Sequence, residues 1–427
     1  MDWLSVIPPI VAIVVVLWRK EVIIALLLAI FSAELLQLAF SWNAPFPATV
    51  NTIERIVAVF SSADNTRILV FSLMIGALLA YIRSSGGVAA MVESLVNRGV
   101  AKNGRQAALL TSGVGGVIFV ESNLSVLTAG ILSRGLFDRF GLSRAKLAYI
   151  IDSTSAPVCI LILLNAWGAF ILVLLSNYEF GASSAAVLWG TVSLNFYPIV
   201  TLIIVLITAW TGRYFGPLAR SKPGTPAHAS ETDTIVATHP VFMLVPLAVM
   251  ILGMLGFMYW TGGGDLSNGS GSKAALYATT LATMVAYALM LASGRFEHIK
   301  LVKIGFEGMG ELLPLVTLVL LALALGASLG DLGTGDYIAN LVSGNLPNFL
   351  IPASLFLAGA LISFSTGTSW GTFAILIPLG MPLAISLDLP PSLLLAAILG
   401  GGIFGDHASP VSDTTVLSSV GAGSDHI

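Results

Sequence analysis

A short polar stretch near the end of a very apolar chain holds the residues best suited to chemistry. Residues 405–415 read GDHASPVSDTT and place Asp406, His407 and Asp413 around Pro410. The preceding residues, SLLLAAILGGGIF, read as the interior of a membrane helix. A charge at the centre of such a helix costs about 2.5 kcal/mol or more, so acids there indicate a function. Because proline removes a backbone donor and obstructs the preceding turn, we predict that the helix unwinds at Pro410.

A second stretch, IDSTSAPV at residues 151–158, has a similar composition. We predict that Pro157 unwinds its helix just after Asp152. Unwound carbonyls, carboxylates and hydroxyls together form an oxygen shell suited to Na⁺ or Li⁺. FVESNLS at 119–125 and SFSTGTSWGT at 363–372 are expected to complete it. The candidate cation and proton ligands are Asp152, Asp406, Asp413 and Glu121, supported by Ser122, Asn123, Ser125, Ser153, Thr154, Ser155, Ser365, Thr366, Thr368, Ser369, Ser409, Ser412 and Thr414.

These residue types also have simpler roles in membrane helices. Serine and threonine hydroxyls often bond to the backbone or to a neighbouring helix, and Glu34 in the second apolar window is able to pair with another helix. With no cysteine or second histidine nearby, His407 is a better candidate for a proton-sensitive neighbour of Asp406 than for a metal ligand. A carboxylate in such a site binds either a cation or a proton. Competition between Na⁺ and H⁺ for Asp152, Asp406 and Asp413 therefore predicts exchange, with no resident cofactor.

The composition identifies the elements that must position these residues. Of 427 residues, 56% are hydrophobic and 10% are charged, and the mean hydropathy is +0.93. Since a helix needs roughly 20 apolar residues to cross a bilayer, the chain is predicted to be an all-α polytopic membrane protein. The net charge of −3 excludes a polybasic nucleic-acid binder, and the single cysteine excludes an internal disulfide framework. The N-terminal apolar run lacks a basic region before it and fits a first span.

Apolar windows recur along the whole chain. They lie at about 4–18, 22–40, 68–82, 106–133, 147–176, 187–211, 241–259, 274–292, 312–330, 351–385 and 392–420. The windows 106–133 and 351–385 have polar centres. Lysine and arginine flank the first on both sides and are absent from both flanks of the second. By the positive-inside rule, these two windows are predicted to be re-entrant hairpins that enter from opposite faces, with the N-terminus outside.

The two halves of the chain resemble each other. An offset of 245 residues aligns Phe119 with Phe364 and Asn123 with Thr368, and each hairpin precedes an interrupted span, at 147–176 and 392–420. We therefore predict a first repeat at 1–211, a cytoplasmic linker at 212–240 and a second repeat at 241–427, with inverted topology. Repeat symmetry predicts one further crossing after the second break, where this sequence ends.

The residues 364–427, read together with the first-half motifs, resemble the NhaC-type sodium/proton antiporter family of the ion-transporter superfamily. FVESNLS and IDSTSAPV match the family pattern less tightly than the C-terminal motifs. The resemblance implies paired hairpins with broken helices and Na⁺ or Li⁺ exchange for H⁺ in a bacterial inner membrane. Oligomerisation through outer helices is common in the superfamily, so a homodimer is expected.

Two other functions compete with this prediction. A cation-coupled exchanger of a small organic anion, of the malate or lactate type, or of an amino acid would use Asn123, Thr368 and Trp370 at the hairpin turns. No arginine is predicted at a break or turn, and Arg134 near the cytoplasmic end of one hairpin is the nearest one, which disfavours a multiply charged anion. GGGD at 262–265 matches a short protease pattern, but it lies in a Gly/Ser-rich loop. We therefore expect a transporter and not an enzyme.

Overall fold

The structure is a computed structural model that describes residues 3–38, 44–97, 101–119, 122–221, 238–265, 269–343 and 347–425. Every regular element in these ranges is helical, which confirms the predicted all-α architecture. Helices satisfy their backbone hydrogen bonds internally, as a chain in lipid must. Within the described ranges, seven helices are long and apolar enough to cross a membrane, or eight if one bent helix pair is a single span. The chain is a multi-pass membrane protein.

The first part of the chain contains twelve α-helices within the described residues. Short 3-10 helices, Trp3–Val6 and Val59–Ser61, adjoin the first and third of them. The α-helices are α1 (Ile7–Arg19), α2 (Val22–Gln37), α3 (Pro45–Ala58), α4 (Ala63–Ser84), α5 (Gly87–Asn97), α6 (Gly104–Val117), α7 (Ser122–Arg139), α8 (Arg144–Leu161), α9 (Ala166–Leu175), α10 (Ser184–Gly190), α11 (Phe196–Thr211) and α12 (Gly216–Arg220).

The second part follows the segment 222–237, which holds most of the predicted linker and lies outside the described residues. Its helices are α13 (Val241–Thr261), α14 (Gly271–Ala292), α15 (His298–Glu311), α16 (Leu313–Asp331), α17 (Thr334–Ser343), α18 (Leu350–Thr366), α19 (Ser369–Ser386), α20 (Pro391–Ala408) and α21 (Asp413–Ala422). The polar centres of the windows 106–133 and 351–385 lie between α6 and α7 and between α18 and α19. Within each pair, the two helices pack against each other. Their re-entrant entry from opposite membrane faces stays a prediction.

The late helices of the two parts correspond at a constant spacing. α7, α8 and α9 each begin and end 247 residues before α19, α20 and α21. The proposed offset of 245 is therefore two residues short. It aligns Asn123 with Thr368, whereas an alignment of the helix boundaries aligns Ser122 with Ser369. The division into repeats at 1–211 and 241–427, and their inverted topology, stay predictions that this constant spacing supports.

Among the described residues, five helices occupy segments that the sequence analysis treats as loops or linker: α3, α5, α12, α15 and α17. α15 shows the physical reason, since it buries Leu301 and Ile304 and exposes Lys300, Lys303 and Glu307. Such an amphipathic helix has one apolar face, which an average over a window of residues conceals. The predicted span 187–211 is likewise two helices, α10 and α11, separated by residues 191–195.

Close packing of α18 against α20 brings the second hairpin to the second break. Gly401 and Gly405 on α20 face the carbonyl oxygens of Phe356 and Ala360, and a Cβ at either glycine would overlap them. Small residues permit such close backbone approach between helices in lipid. The run of glycines before Asp406 is therefore what allows its carboxylate to reach the hairpin.

Candidate functional site

The second helix break lies where Pro410 predicts it. α20 ends before this proline and α21 begins after it, at residues 409–412. Proline has no N–H to continue the helical ladder, so the chain turns. Ser412 then caps the first turn of α21 through its side-chain oxygen. Two half-helix ends therefore lie next to Asp406.

Asp406 is held by hydroxyl groups from two separate elements. The residue is 2% exposed. Ser369 Oγ at the start of α19 donates to Oδ2 at 3.0 Å, and Ser412 Oγ in the break donates to Oδ1 at 2.6 Å. Thr414 Oγ1 lies 3.0 Å from Ser412 Oγ. Because a hydroxyl has one donor and two lone pairs, it can donate to a carboxylate or turn a lone pair toward a cation. The cluster is chemically suited to a proton or a small hard cation.

The turn of the second hairpin packs directly on this break. Gly367 has a φ of 70°, and a Cβ there would lie 2.5 Å from the carbonyl oxygen of Val411. Ser409 Oγ donates to the carbonyl oxygen of Phe364 at 2.7 Å. Both contacts hold Ser369 against the carboxylate. Ser409, predicted as a ligand, thus joins the break to the hairpin.

The first helix break is not at Pro157, and the prediction that the helix unwinds after Asp152 is wrong. α8 runs through both residues without interruption. A proline removes one backbone bond, and the buried neighbours of Pro157 hold the helix together. The chain breaks instead at 162–165, where α8 and α9 meet at 43°. At the spacing of 247 residues, this break, and not 151–158, corresponds to 409–412.

Asn165 closes the first break, and sequence reasoning missed it. The side chain is buried, and its Nδ2 lies within 2.9 Å of three carbonyl oxygens while its Oδ1 accepts from two backbone N–H groups. The partners are Phe119, Cys159 and Ile162 through their carbonyls, and Trp167 and Gly168 through their amides. Because Phe119 belongs to the first hairpin turn, Asn165 also joins that turn to the break. A lone asparagine inside ILILLNAWG was the available signal.

We predict that Asn165→Ala lowers the free energy of unfolding by about 3 kcal/mol, because it leaves several buried backbone groups without partners. The measurement is thermal unfolding of the detergent-purified protein. Asn177→Ala is the matched control, since Asn177 is exposed in a loop, and its effect is expected within about 0.5 kcal/mol. Equal melting temperatures for the two variants would contradict this role.

Asp152 contacts the second half of the chain instead of a break of its own. Ser418 Oγ on α21 lies 3.1 Å from Asp152 Oδ1 and 2.7 Å from the carbonyl oxygen of Thr414, so its one proton is within reach of both acceptors. At the same interface, α7, which carries Asn123, packs against α21, which begins at Asp413.

The three helices that carry Asp152, Asp406 and Asp413, which are α8, α20 and α21, pack against one another. Asp413 is exposed whereas Asp406 is buried, so the break at 409–412 lies between an outer acid and an inner one.

These three acids have no ion-pair partner among the described residues. The nearby Arg134 and Arg144 donate to carbonyl oxygens at the C-terminal end of α21. Glu34 differs, because it accepts from Arg55 and from Ser328, each at 2.9 Å, and so pairs with other helices. A buried acid without a counter-charge is stable when it is protonated or binds a cation.

No group of three acidic, histidine or cysteine side chains converges as metal ligands in the ranges that the structure describes. Among the described residues, the oxygen atoms around Asp406 other than its own carboxylate are those of hydroxyl and carbonyl groups. Oxygen donors of this kind suit Na⁺. The shared binding of Na⁺ by all three acids stays a prediction.

His407 links the second break to the first half. Its Nδ1 lies 3.0 Å from the hydroxyl of Tyr197 on α11, and the two rings are 5.9 Å apart in a T-shaped arrangement. Its Nε2 is buried and has no hydrogen-bond partner within the described part of the chain. Its role as a proton-sensitive neighbour stays a prediction.

The remaining predicted ligands fall into less specific environments. Hydroxyls that bond to their own helix backbone are weak ligand candidates, because this bond is common in membrane helices. Glu121 lies outside the described residues. Thr154, Ser155, Ser365 and Thr366 bond to their own helices, Ser125 donates to Gly115 across the first hairpin, Ser122 and Ser153 are buried, and Thr368 accepts from Thr372 through its carbonyl.

Sequence reasoning missed two further side chains of the site, Ser418 and Tyr197. Ser418 lies four residues after Thr414, a spacing that places both on one face of α21. That periodicity was the available signal for Ser418. Tyr197 lies far from the break in sequence, and no pattern connects it to His407.

Comparisons with known proteins find one matching family model and several relatives. The model of the Na⁺/H⁺ antiporter family matches residues 158–427. An uncharacterized protein of Haemophilus influenzae is 31% identical, over 99% of this chain and 86% of its own length. An uncharacterized Na⁺/H⁺ antiporter of the same organism is 35% identical over 25% of this chain and 24% of its own. The malate-2H⁺/Na⁺-lactate antiporter of Bacillus subtilis is 37% identical over 24% of this chain and 22% of its own.

A solved structure shares the fold. Neisseria gonorrhoeae MtrF, described with a class of antimetabolite efflux pumps, superposes with a TM-score of 0.56. The superposition covers 89% of this chain and 78% of that chain, at 13% identity. This likeness concerns the arrangement of helices.

Proposed function

Because the chain belongs to the Na⁺/H⁺ antiporter family, it is a cation-coupled transporter rather than an enzyme, and we propose that it exchanges Na⁺ or Li⁺ for H⁺ by alternating access. Both cations compete for Asp406, with Asp152 and Asp413 beside it. One observation carries this proposal: Asp406 is buried, and hydroxyls from a hairpin turn and a helix break hold it without a cationic partner among the described residues.

Competition follows from the chemistry of the carboxylate. In a medium of low dielectric constant, an ionised Asp406 must gain a proton or a cation. Binding Na⁺ requires the ionised form, so proton loss and cation binding occur at the same group. The hydroxyls of Ser369 and Ser412 serve both states, because rotation changes them from donors to ligands. Alternating exposure of this site to the two sides of the membrane converts competition into exchange.

The surroundings of the protein belong to the same proposal. We expect a bacterial inner (plasma) membrane with the N-terminus outside, because lysine and arginine concentrate in the predicted cytoplasmic loops. The partners are the lipid bilayer, Na⁺ and H⁺, with no nucleic acid and no resident cofactor. A homodimer through the outer helices is expected.

A second candidate is the cation-coupled exchange of a small organic anion or an amino acid. The relative named as a malate-2H⁺/Na⁺-lactate antiporter favours it. Two side chains considered for binding such a substrate, Trp370 and Arg134, already contact other parts of the protein, and this favours the second candidate less. Trp370 packs against Trp167 and Phe170 at 4.8 and 5.1 Å between ring centroids, and Arg134 is bonded to α21.

The deciding experiment uses the purified protein in proteoliposomes with a pH-sensitive dye inside. Addition of Na⁺ or Li⁺ outside is expected to drive H⁺ movement without any organic anion, while K⁺ is expected to drive none. The same assay is repeated with malate or lactate inside. H⁺ movement that occurs only with the organic anion would establish the second candidate and reject simple exchange.

A further inference from the structure

A cavity of about 430 Å³ lies where the starts of α6 and α8 meet the end of α11. Arg105 of α6 and Lys146 of α8 line it, and Gly212 and Tyr214, which follow α11, form a third wall. The three segments that supply these residues contain lysine and arginine, and the positive-inside rule predicts all three on the cytoplasmic side. The cavity therefore lies at one predicted surface of the membrane.

The lining of this cavity carries positive charge without a counter-charge. No aspartate or glutamate lines it in the part of the chain that the structure describes. Neither Arg105 nor Lys146 belongs to an ion pair among the described residues. Lys146 Nζ instead lies 4.7 Å from the ring centroid of Tyr214, a cation–π contact that positions the ammonium and leaves its charge available. Arg105 is exposed and Lys146 is partly exposed, so a ligand in the cavity can reach both.

The first turn of α6 adds hydrogen-bond donors to the same cavity. Asn103, which caps α6 by accepting from the backbone N–H of Gln106, and Gly104, the first residue of the helix, both line the wall. The first backbone N–H groups of a helix have no acceptor within it and favour an anion. Together with an ammonium and a guanidinium, they match the oxygens of a phosphate, which accept from several donors at once. The set of donors therefore indicates a phosphate-bearing ligand.

We propose that this cavity binds the phosphate of an anionic phospholipid whose headgroup carries no amine. The position favours a lipid, because α11 is a peripheral helix that exposes Ile203, Ile207 and Trp210 along its length. In a membrane these side chains face the acyl chains, and a tryptophan near the end of a membrane helix is typical of the headgroup level. A lipid whose chains lie along α11 therefore places its phosphate at the cavity.

The charge of the lining selects among phospholipids. A zwitterionic headgroup brings its own ammonium, and no carboxylate among the described lining residues pairs with it. An anionic headgroup without an amine instead gains the attraction of both positive charges and avoids that repulsion. A soluble phosphate makes the same polar contacts but has no acyl chains to cover α11. None of the described lining residues is a predicted cation ligand, so this site is independent of the exchange proposed above.

The test measures binding of dioleoylphosphatidylglycerol to the purified full-length protein in detergent by native mass spectrometry. Arg105→Gln and Lys146→Gln are each expected to weaken binding of the first lipid about 5-fold, and the two together about 30-fold. Arg295→Gln combined with Lys300→Gln is the matched control. It removes two exposed positive charges on the same predicted side of the membrane, in and just before α15, and is expected to leave binding unchanged. Lys146→Arg keeps the charge and is expected to retain binding.

Further measurements separate the candidate ligands and keep the test independent of transport. Dioleoylphosphatidylcholine, which has the same chains and a zwitterionic headgroup, is expected to bind the wild type more weakly. Asp406→Asn is expected to retain binding of the anionic lipid even where exchange is lost. Equal lipid binding by the wild type and the double cavity variant, an equal loss in the control variant, or equal affinity for the two lipids would overturn the proposal. Displacement of the lipid by an equimolar amount of inorganic phosphate would identify a site for soluble phosphate and overturn it as well.

Discussion

Asp406→Asn is expected to reduce Na⁺-driven proton exchange by on the order of 100-fold or more at every pH, the loss expected when a charge-assisted contact disappears. Asparagine has nearly the same shape and keeps hydrogen bonds to Ser369 and Ser412. It neither releases a proton nor neutralises a cation. The variant is therefore expected to fold, since it replaces an acid that has no counter-charge among the described residues by a neutral group. The proteoliposome dye assay measures the rate.

Asp388→Asn provides the matched control for this substitution. Asp388 lies in the turn between α19 and α20 with a φ of 51°, a backbone conformation that asparagine adopts readily. Exchange by this variant is expected to equal that of the wild type. If Asp406→Asn also exchanges at the wild-type rate, a carboxylate shared by Na⁺ and H⁺ is not the basis of transport.

Gly367→Ala is expected to reduce exchange about 10-fold or more, because its methyl group would push the hairpin turn away from the helix break. The obstacle is the backbone carbonyl of Val411, which has little freedom to move. Displacement of the turn separates Ser369 from Asp406. A positive φ in a non-glycine residue adds a cost of about 1–2 kcal/mol. The readouts are the exchange rate and the melting temperature.

A second glycine separates the two effects of that substitution. Gly181 has a φ of 69°, close to that of Gly367, but nothing lies within 4 Å of the Cβ position. Gly181→Ala therefore experiences the backbone strain without the overlap, and we expect normal exchange with about 1–2 kcal/mol lower stability. Similar exchange rates for the two variants would show that contact between turn and break is not required.

The two breaks differ in chemistry although their helices correspond. At the spacing of 247 residues, Ser412 corresponds to Asn165 and Asp406 corresponds to Cys159. At the second break, hydroxyl groups therefore surround an acid, Asp406. At the first break, the neutral side-chain amide of Asn165 instead forms hydrogen bonds with nearby backbone groups. The first break has no acid of its own, and the acid of the first half, Asp152, lies in the middle of α8, where it contacts Ser418 on α21. The predicted cation ligands therefore concentrate at the second break.

Local signals in the sequence were sufficient for several features of this protein. Apolar windows predict the membrane helices because burial in lipid depends on composition over about 20 residues. Pro410 predicts the second break because its missing N–H acts within one turn. Asp406 stands out because an acid in an apolar run has few explanations other than function. Each of these inferences needs only neighbours along the chain.

Other features depend on contacts between distant segments, and local patterns do not contain them. Pro157 resembles Pro410 in sequence, but packing around α8 keeps that helix intact, and the break forms at Asn165, where a side chain satisfies the freed backbone. Likewise, Ser418 reaches Asp152 only because α21 packs against α8. The sequence by itself determined a membrane protein with acids at a helix break, and the tertiary structure decided which hydroxyls meet those acids, because hydrogen bonds require atoms within about 3 Å of each other.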